Sequence, residues 1–139
     1  MRVGIAGYGL AGRSFHGPLL KGCGFEIAAI ATSNATRARQ AKDDFPLTNV
    51  VSDFSSLVKQ NLDLIIIATA NKVHAEQAHA AISAGIPVVI DKPAARTASE
   101  TAEIFAAAER AGVPITVFYN RLWDSDALTI KQVVRDGLI

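Results

Sequence analysis

The chain has 139 residues, half of them hydrophobic and 19% charged, with a formal net charge of +1. That length makes one domain with a real core, burying roughly two-thirds of its unfolded surface, and the composition excludes a disordered tail. No run of like charge offers a footing for nucleic acid or an anionic membrane, no apolar stretch approaches the roughly 20 residues that span a bilayer, and Gly4, Gly7 and Gly9 interrupt any signal-peptide pattern.

In chain order, short apolar runs occur at RVGIA (2–6), FEIAAIAT (25–32), NVV (49–51), LIIIAT (64–69), PVVI (87–90) and PITVFY (114–119). Several are apolar at every position, as in strands buried on both faces of a parallel sheet between helices. Helical patterns separate them. The first opens at the glycines after residue 6 and is broken or kinked by Gly17-Pro18. Asn34 caps the helix holding TRARQAKDD. Asn71 caps KVHAEQAHAAISA, which ends at Gly85. Thr97-Ala98-Ser99-Glu100 is a capping box before an alanine-rich helix that stops at Gly112, and a last helix runs from about Ser125 to Asp136 with Gly137 as its stop. This β-α order requires right-handed crossovers. The expectation is an α/β, doubly wound parallel sheet, a Rossmann fold, as one domain over residues 1–139.

In such sheets ligands bind beyond the carboxyl ends of the strands, where strand order reverses. That singles out Gly7–Gly12, Thr32–Arg37, Ala68–His74, Asp91–Pro93 and Asn120–Trp123. The first, Gly7-Tyr8-Gly9-Leu10-Ala11-Gly12, is G-x-G-x-x-G between a strand and a helix. Gly7 makes the turn, Gly9 admits a pyrophosphate to the main chain, and Gly12 lets helix and strand pack closely. The phosphates would sit on the helix N-terminus. A purely structural turn and a methyl-donor nucleotide site are the alternatives.

The second strand ends Ala31-Thr32-Ser33-Asn34, without the carboxylate that takes the ribose hydroxyls in NAD binders, and Arg37 and Arg39 come next. Ser33 and a guanidinium suit a 2′-phosphate, so NADP is favoured, with NAD the alternative. Against this stands a plain helix cap with two solvated arginines. Lys92 in IDKPAA either belongs to an ordinary charged loop or lies beside a nicotinamide, where it would bind a substrate oxygen. His74 and His79 are five apart, so HAEQAH is not a zinc-binding helix and no metal is expected. His74 falls on the ligand edge and His79 in the helix body; His16 is open between a site role and packing. Trp123 either walls the pocket or packs. The lone Cys23 fits a reducing cytoplasm.

These segments together resemble the N-terminal half of the Gfo/Idh/MocA oxidoreductase family. The resemblance covers the whole chain and rests on RVGIAGYGLAGRSFHGP, ATANKVHAEQAHAAISAGIPVVIDKP and YNRLWDSD. Within that family, GYGLAGRSFHGP and NRLWDSDALTIK look most like NADP-dependent scyllo-inositol dehydrogenase-like members. The resemblance implies oxidation of a sugar or cyclitol hydroxyl, or the reverse, with a small-molecule substrate. It implies that Lys92 meets the substrate hydroxyl and that Asp91, standing where the family has Glu, helps hold the cofactor. It also implies that Asn71 and His74 lie at the cofactor edge after the fourth strand, with Ala68 and Thr69, and that Arg121 and Trp123 lie near the nicotinamide. Ala70 replaces a common Pro, and Asn34 stands where similar members often have Arg, which leaves Arg37 to meet a 2′-phosphate. Family members continue into a second α/β domain that holds substrate and commonly forms a dimer face. The expectation is therefore a domain-sized fragment that binds cofactor without turnover, with a homo-oligomer possible at full length. A non-catalytic nucleotide-binding sensor or scaffold is the alternative.

Overall fold

The structure is a computed structural model describing residues 1–139. Six strands, β1 (Arg2–Ala6), β2 (Glu26–Ala31), β3 (Asn49–Val51), β4 (Leu64–Ile67), β5 (Val88–Asp91) and β6 (Ile115–Phe118), form one parallel sheet in the order β3-β2-β1-β4-β5-β6. This is the expected doubly wound fold. The order reverses between β1 and β4, so a crevice opens beyond their carboxyl ends.

The sheet is buried on both faces, which is why its central strands are apolar at every position. Alternate residues of β4 point opposite ways: Ile65 and Ile67 join Ile82, Ile104 and Ala108 on one side, while Ile66 joins Val3, Ile5, Ile30 and Leu20 on the other. The first side is covered by α3 (Phe54–Val58), α4 (His74–Ser83) and α5 (Ala98–Ala111). The second is covered by α1 (Gly17–Gly22) and α2 (Ala35–Asp44). The last helix, α6 (Ser125–Arg135), buries no residue.

Most helix ends agree with the sequence signals. Asn34 Oδ1 accepts the Arg37 N–H at 3.0 Å, and Gly85, Gly112 and Gly137 all have positive φ. Two differ. Asn71 does not cap α4: it begins a 3₁₀ turn, Asn71–Val73, and makes no capping bond, because the chain enters the helix through that extra turn. Pro18 does not end the first helix. Helical conformation runs unbroken over 10–22, with a π-helical turn at Gly12–His16 immediately before α1 and Pro18 as the second residue of α1.

At α5 the Thr97 hydroxyl accepts the Glu100 N–H at 3.1 Å, and the Glu100 carboxylate accepts the Thr97 N–H at 3.2 Å. Thr97→Ala removes one side of this box and should lower unfolding free energy by about 1 kcal/mol. Urea denaturation should show a lower midpoint at unchanged slope; an unchanged midpoint would show that the box contributes nothing.

Candidate cofactor site

The glycine turn is held on three sides by main chain. Gly7 N–H donates to Ala31 O at 2.9 Å at the end of β2, and Ala68 N–H donates to Ala6 O at 2.8 Å at the end of β4. Gly7 has φ +91°, and a Cβ there would lie 2.6 Å from Ala68 O. A Cβ on Gly12 would lie 2.1 Å from Gly7 O. Both positions must be glycine for the chain itself to close. Gly9 differs: its φ is not positive, and the nearest atoms to a Cβ there belong to the Arg37 guanidinium, at 3.7 Å. The fold does not require a glycine at that position, and the space in front of it is open.

That space is a cleft of about 400 Å³ at the crevice between β1 and β4. Gly7, Gly9, Thr32, Ser33, Arg37, Ala68 and Thr69 line it, all expected from the sequence. Ser52, Asp53, Phe54 and Gln77 line it too, and were not expected. Asp53 caps the short helix α3, and its carboxylate accepts from the hydroxyls of Ser52, Ser55 and Ser56 and from the Ser56 N–H, at 2.7–3.1 Å. The hydroxyl of Ser52, then those of the other serines, hold its ionisation well below the usual carboxylate range. Ser-Asp-Phe-Ser-Ser (52–56) carried the capping signal, but its helix is too short to show a period. Gln77 Oε1 accepts from the Thr69 hydroxyl at 2.7 Å, which places the α4 side chain against the β4 loop. The Arg37 guanidinium makes no ion pair.

Other expected residues lie outside this cleft. The Tyr8 side chain turns away from it and is buried edge-on against Phe45, with its hydroxyl donating to Asp44 Oδ2 at 2.9 Å. Arg13 Nε donates to the same oxygen at 2.7 Å. This triad ties the back of the glycine turn to the end of α2. The side chain of Leu10 is exposed, and Ala11 and Gly12 belong to the helix that starts there. Asn34 is occupied by its cap.

His74 is buried, with Nδ1 at 2.9 Å from Pro93 O and Nε2 at 3.0 Å from Thr69 O, so its ring bridges two loops rather than facing the cleft. Asp91 Oδ1 meets His16 Nε2 at 2.8 Å, Lys92 is exposed, and Asn71 is exposed. Trp123 neither walls the cleft nor packs in the core: it is 79% exposed, and Arg121 turns to Asp124 at 2.7 Å, because their 3₁₀ turn lies beyond the edge strand β6.

Residues 1–119 match the model of an oxidoreductase family with an NAD-binding Rossmann fold. The chain belongs to the Gfo/Idh/MocA family. Among Gfo/Idh/MocA relatives it is 43% identical to the uncharacterized oxidoreductase YdgJ of Escherichia coli and 40% identical to the scyllo-inositol 2-dehydrogenase (NADP(+)) IolW of Bacillus subtilis, over 100% and 99% of its own length. It superposes on the solved structure of yvaA from Bacillus subtilis with a TM-score of 0.91 at 40% identity, covering 99% of this chain and 40% of that one. The chain spans 40% and 38% of the lengths of YdgJ and IolW. No helix is long and apolar enough to cross a membrane.

The Tyr8–Asp44–Arg13 triad makes stability depend on acid pH. The Arg13 hydrogen bond, then that of Tyr8, hold the Asp44 carboxyl below its ordinary range. Its contribution is therefore complete above the unfolded aspartate value of about 3.9 and is lost as pH falls through the lower folded value. Asp44→Asn should be less stable than wild type at pH 7 and should lose less stability between about pH 5 and pH 2. Parallel acid-denaturation curves would show that Asp44 is not part of the linkage.

Proposed function

We propose that this chain is the cofactor domain of an oxidoreductase that moves hydride between NADP(H) and a hydroxyl or ketone carbon of a sugar or cyclitol. The observation that carries the reading is Gly9. Gly7 and Gly12 are explained by the chain's own crowding, whereas Gly9 is explained only by something that must approach the main chain in the cleft. The N–H groups that open the helix after it are free to meet a pyrophosphate.

Three features support NADP over NAD. Arg37 brings an unpaired guanidinium to the cleft beside Ser33. No carboxylate stands directly after β2. Asp53, the one carboxylate in the lining, is already saturated by three serines and does not compete for ribose hydroxyls. The IolW relative, whose name carries NADP(+) and scyllo-inositol, supports the same cofactor and a cyclitol substrate. The unpaired Cys23 supports a reducing, cytoplasmic setting.

The chemical end is assigned to the Asp91-Lys92-Pro93 loop beyond β5. The bound nicotinamide supplies the hydride acceptor. Lys92 would donate a hydrogen bond to the reacting oxygen, and its ammonium would stabilise the negative charge there as the carbon gives up hydride and the oxygen's proton passes to solvent. Asp91 keeps Oδ2 free of intrachain bonds for a cofactor hydroxyl. The 139-residue domain by itself binds cofactor without turnover, since hydride transfer needs the substrate oriented and water excluded as well as the cofactor bound.

Fluorescence titration with NADPH should show at least tenfold weaker binding for Gly9→Val than for wild type; equal affinity would defeat the reading. Ser33→Asp should reverse the preference for NADP, a change of about 1.5–3 kcal/mol for lost charge-assisted hydrogen bonds. Wild type binding NAD as tightly as NADP would rule the preference out. In a longer polypeptide spanning the full length of its relatives, Lys92→Ala should slow cyclitol oxidation by about 10²–10⁴-fold, and an unchanged rate would remove Lys92 from the chemistry.

A further inference from the structure

His16 is a histidine with no place in the cleft, yet it is among the most deeply buried side chains in the molecule, at 2% exposed. Its Nε2 lies 2.8 Å from Asp91 Oδ1, across 75 residues of sequence, and its ring lies on Phe118 with centroids 4.6 Å apart. It thus joins the helix that opens at the glycine turn to the carboxyl ends of β5 and β6. We propose that His16 is a positioning residue, one that couples occupancy of the glycine turn to the placement of Lys92. The inference rests on the dinucleotide reading above.

The local backbone is shaped for this contact. Residues Gly12–His16 form a π-helical turn, closed by the Gly17 N–H on Gly12 O. One extra residue in a turn rotates the downstream residues by about 100° relative to an uninterrupted α-helix. The turn is pinned at both ends. Gly12 has no room for a side chain against Gly7 O, and a Cβ on Gly17 would meet the Phe45 ring at 3.1 Å. Phosphate bound to the N–H groups before Gly12 therefore acts on a short segment that cannot move without moving His16.

On the receiving side, the residues flanking Lys92 are both held by buried histidines. His16 takes Asp91, and His74 Nδ1 lies on the carbonyl of Pro93. The Lys92 side chain itself makes no hydrogen bond or ion pair, so its position is set by those two anchors. His74 reaches the glycine turn only from the β4 side, through Thr69 O, whereas His16 lies on the helix that the turn itself opens. Freeing the Asp91 carboxylate would leave the start of the Lys92 loop held by the end of the β5–β6 ladder alone, with His74 on its far side.

Amide hydrogen exchange of residues 91–95 in this chain, with and without saturating NADPH, reads the coupling directly. His16→Phe keeps a ring on Phe118 and removes the donor; His16→Gln keeps an N–H donor of similar reach. Without ligand, His16→Phe should exchange about tenfold faster over 91–95 than wild type, and His16→Gln should stay within about twofold. NADPH should slow exchange of this loop severalfold in wild type and in His16→Gln, but not in His16→Phe, even though that variant still quenches or enhances NADPH fluorescence on binding. Should His16→Phe not fold, His16→Leu removes the same donor with a smaller apolar side chain and should give the same pattern. Ligand-free exchange equal to wild type, or equal slowing by NADPH in the donor-less variant, would overturn the proposal. A wild type that binds no NADPH would overturn the dinucleotide reading and the coupling with it, and is told apart because fluorescence, not exchange, reports it.

Discussion

The closeness of Gly12 to the carbonyl of Gly7 governs this structure. With only 2.1 Å available for a side-chain carbon, the first strand can turn back into its helix at the tightest radius the backbone allows. The turn then reaches the ends of β2 and β4 together, through the hydrogen bonds of Gly7 to Ala31 and of Ala68 to Ala6. A cleft forms where the strand order reverses because these three chain segments meet there with no side chain between them. Adding a methyl group at either glycine would separate the turn from its neighbours and open the site before any ligand was considered.

Packing fixes the rest of the frame. A sheet buried on both faces leaves its strands little freedom to slide, since a one-residue slip would exchange Ile65 and Ile67 with Ile66 between two separate cores. Polar side chains are therefore confined to the strand ends and the loops beyond them, where Ser33, Arg37, Thr69 and Asp53 collect. The buried polar groups that do enter the interior are paired: Tyr8 with Asp44, His16 with Asp91, and His74 with two carbonyls. Each ties a loop at the ligand edge to a neighbouring element. Order at the site is thus inherited from the core through a few specific hydrogen bonds.

Much of this was legible in the sequence. All six apolar runs are strands within a residue or two, because fully buried parallel strands need no alternation and end sharply at polar residues. The Thr97 box and Gly112 bounded α5 through local chemistry alone. What failed to show was whatever depended on distant partners. Tyr8 sits inside the fingerprint, yet its ring direction is set by Phe45 and Asp44, far along the chain. Asn71 is a good capping residue displaced by a 3₁₀ turn, and α3 is too short to reveal a period. The one tryptophan has the size for a core or a pocket wall and has neither, since its turn lies past the last strand. His16 required the π turn to be seen before its partner could be known.

The central claim is that main-chain N–H groups of the glycine turn, with Arg37 opposite, receive a dinucleotide. Amide chemical-shift mapping of the ¹⁵N-labelled chain during titration with NADP tests it most directly. The account predicts that the largest saturable shifts fall at Gly9, Leu10 and Ala11, with a second group at Ser33 and Arg37, and that the second group shrinks when NAD replaces NADP. Shifts centred elsewhere, such as at the Phe45–Leu47 surface behind the turn, or no saturable shift at the glycines, would contradict it.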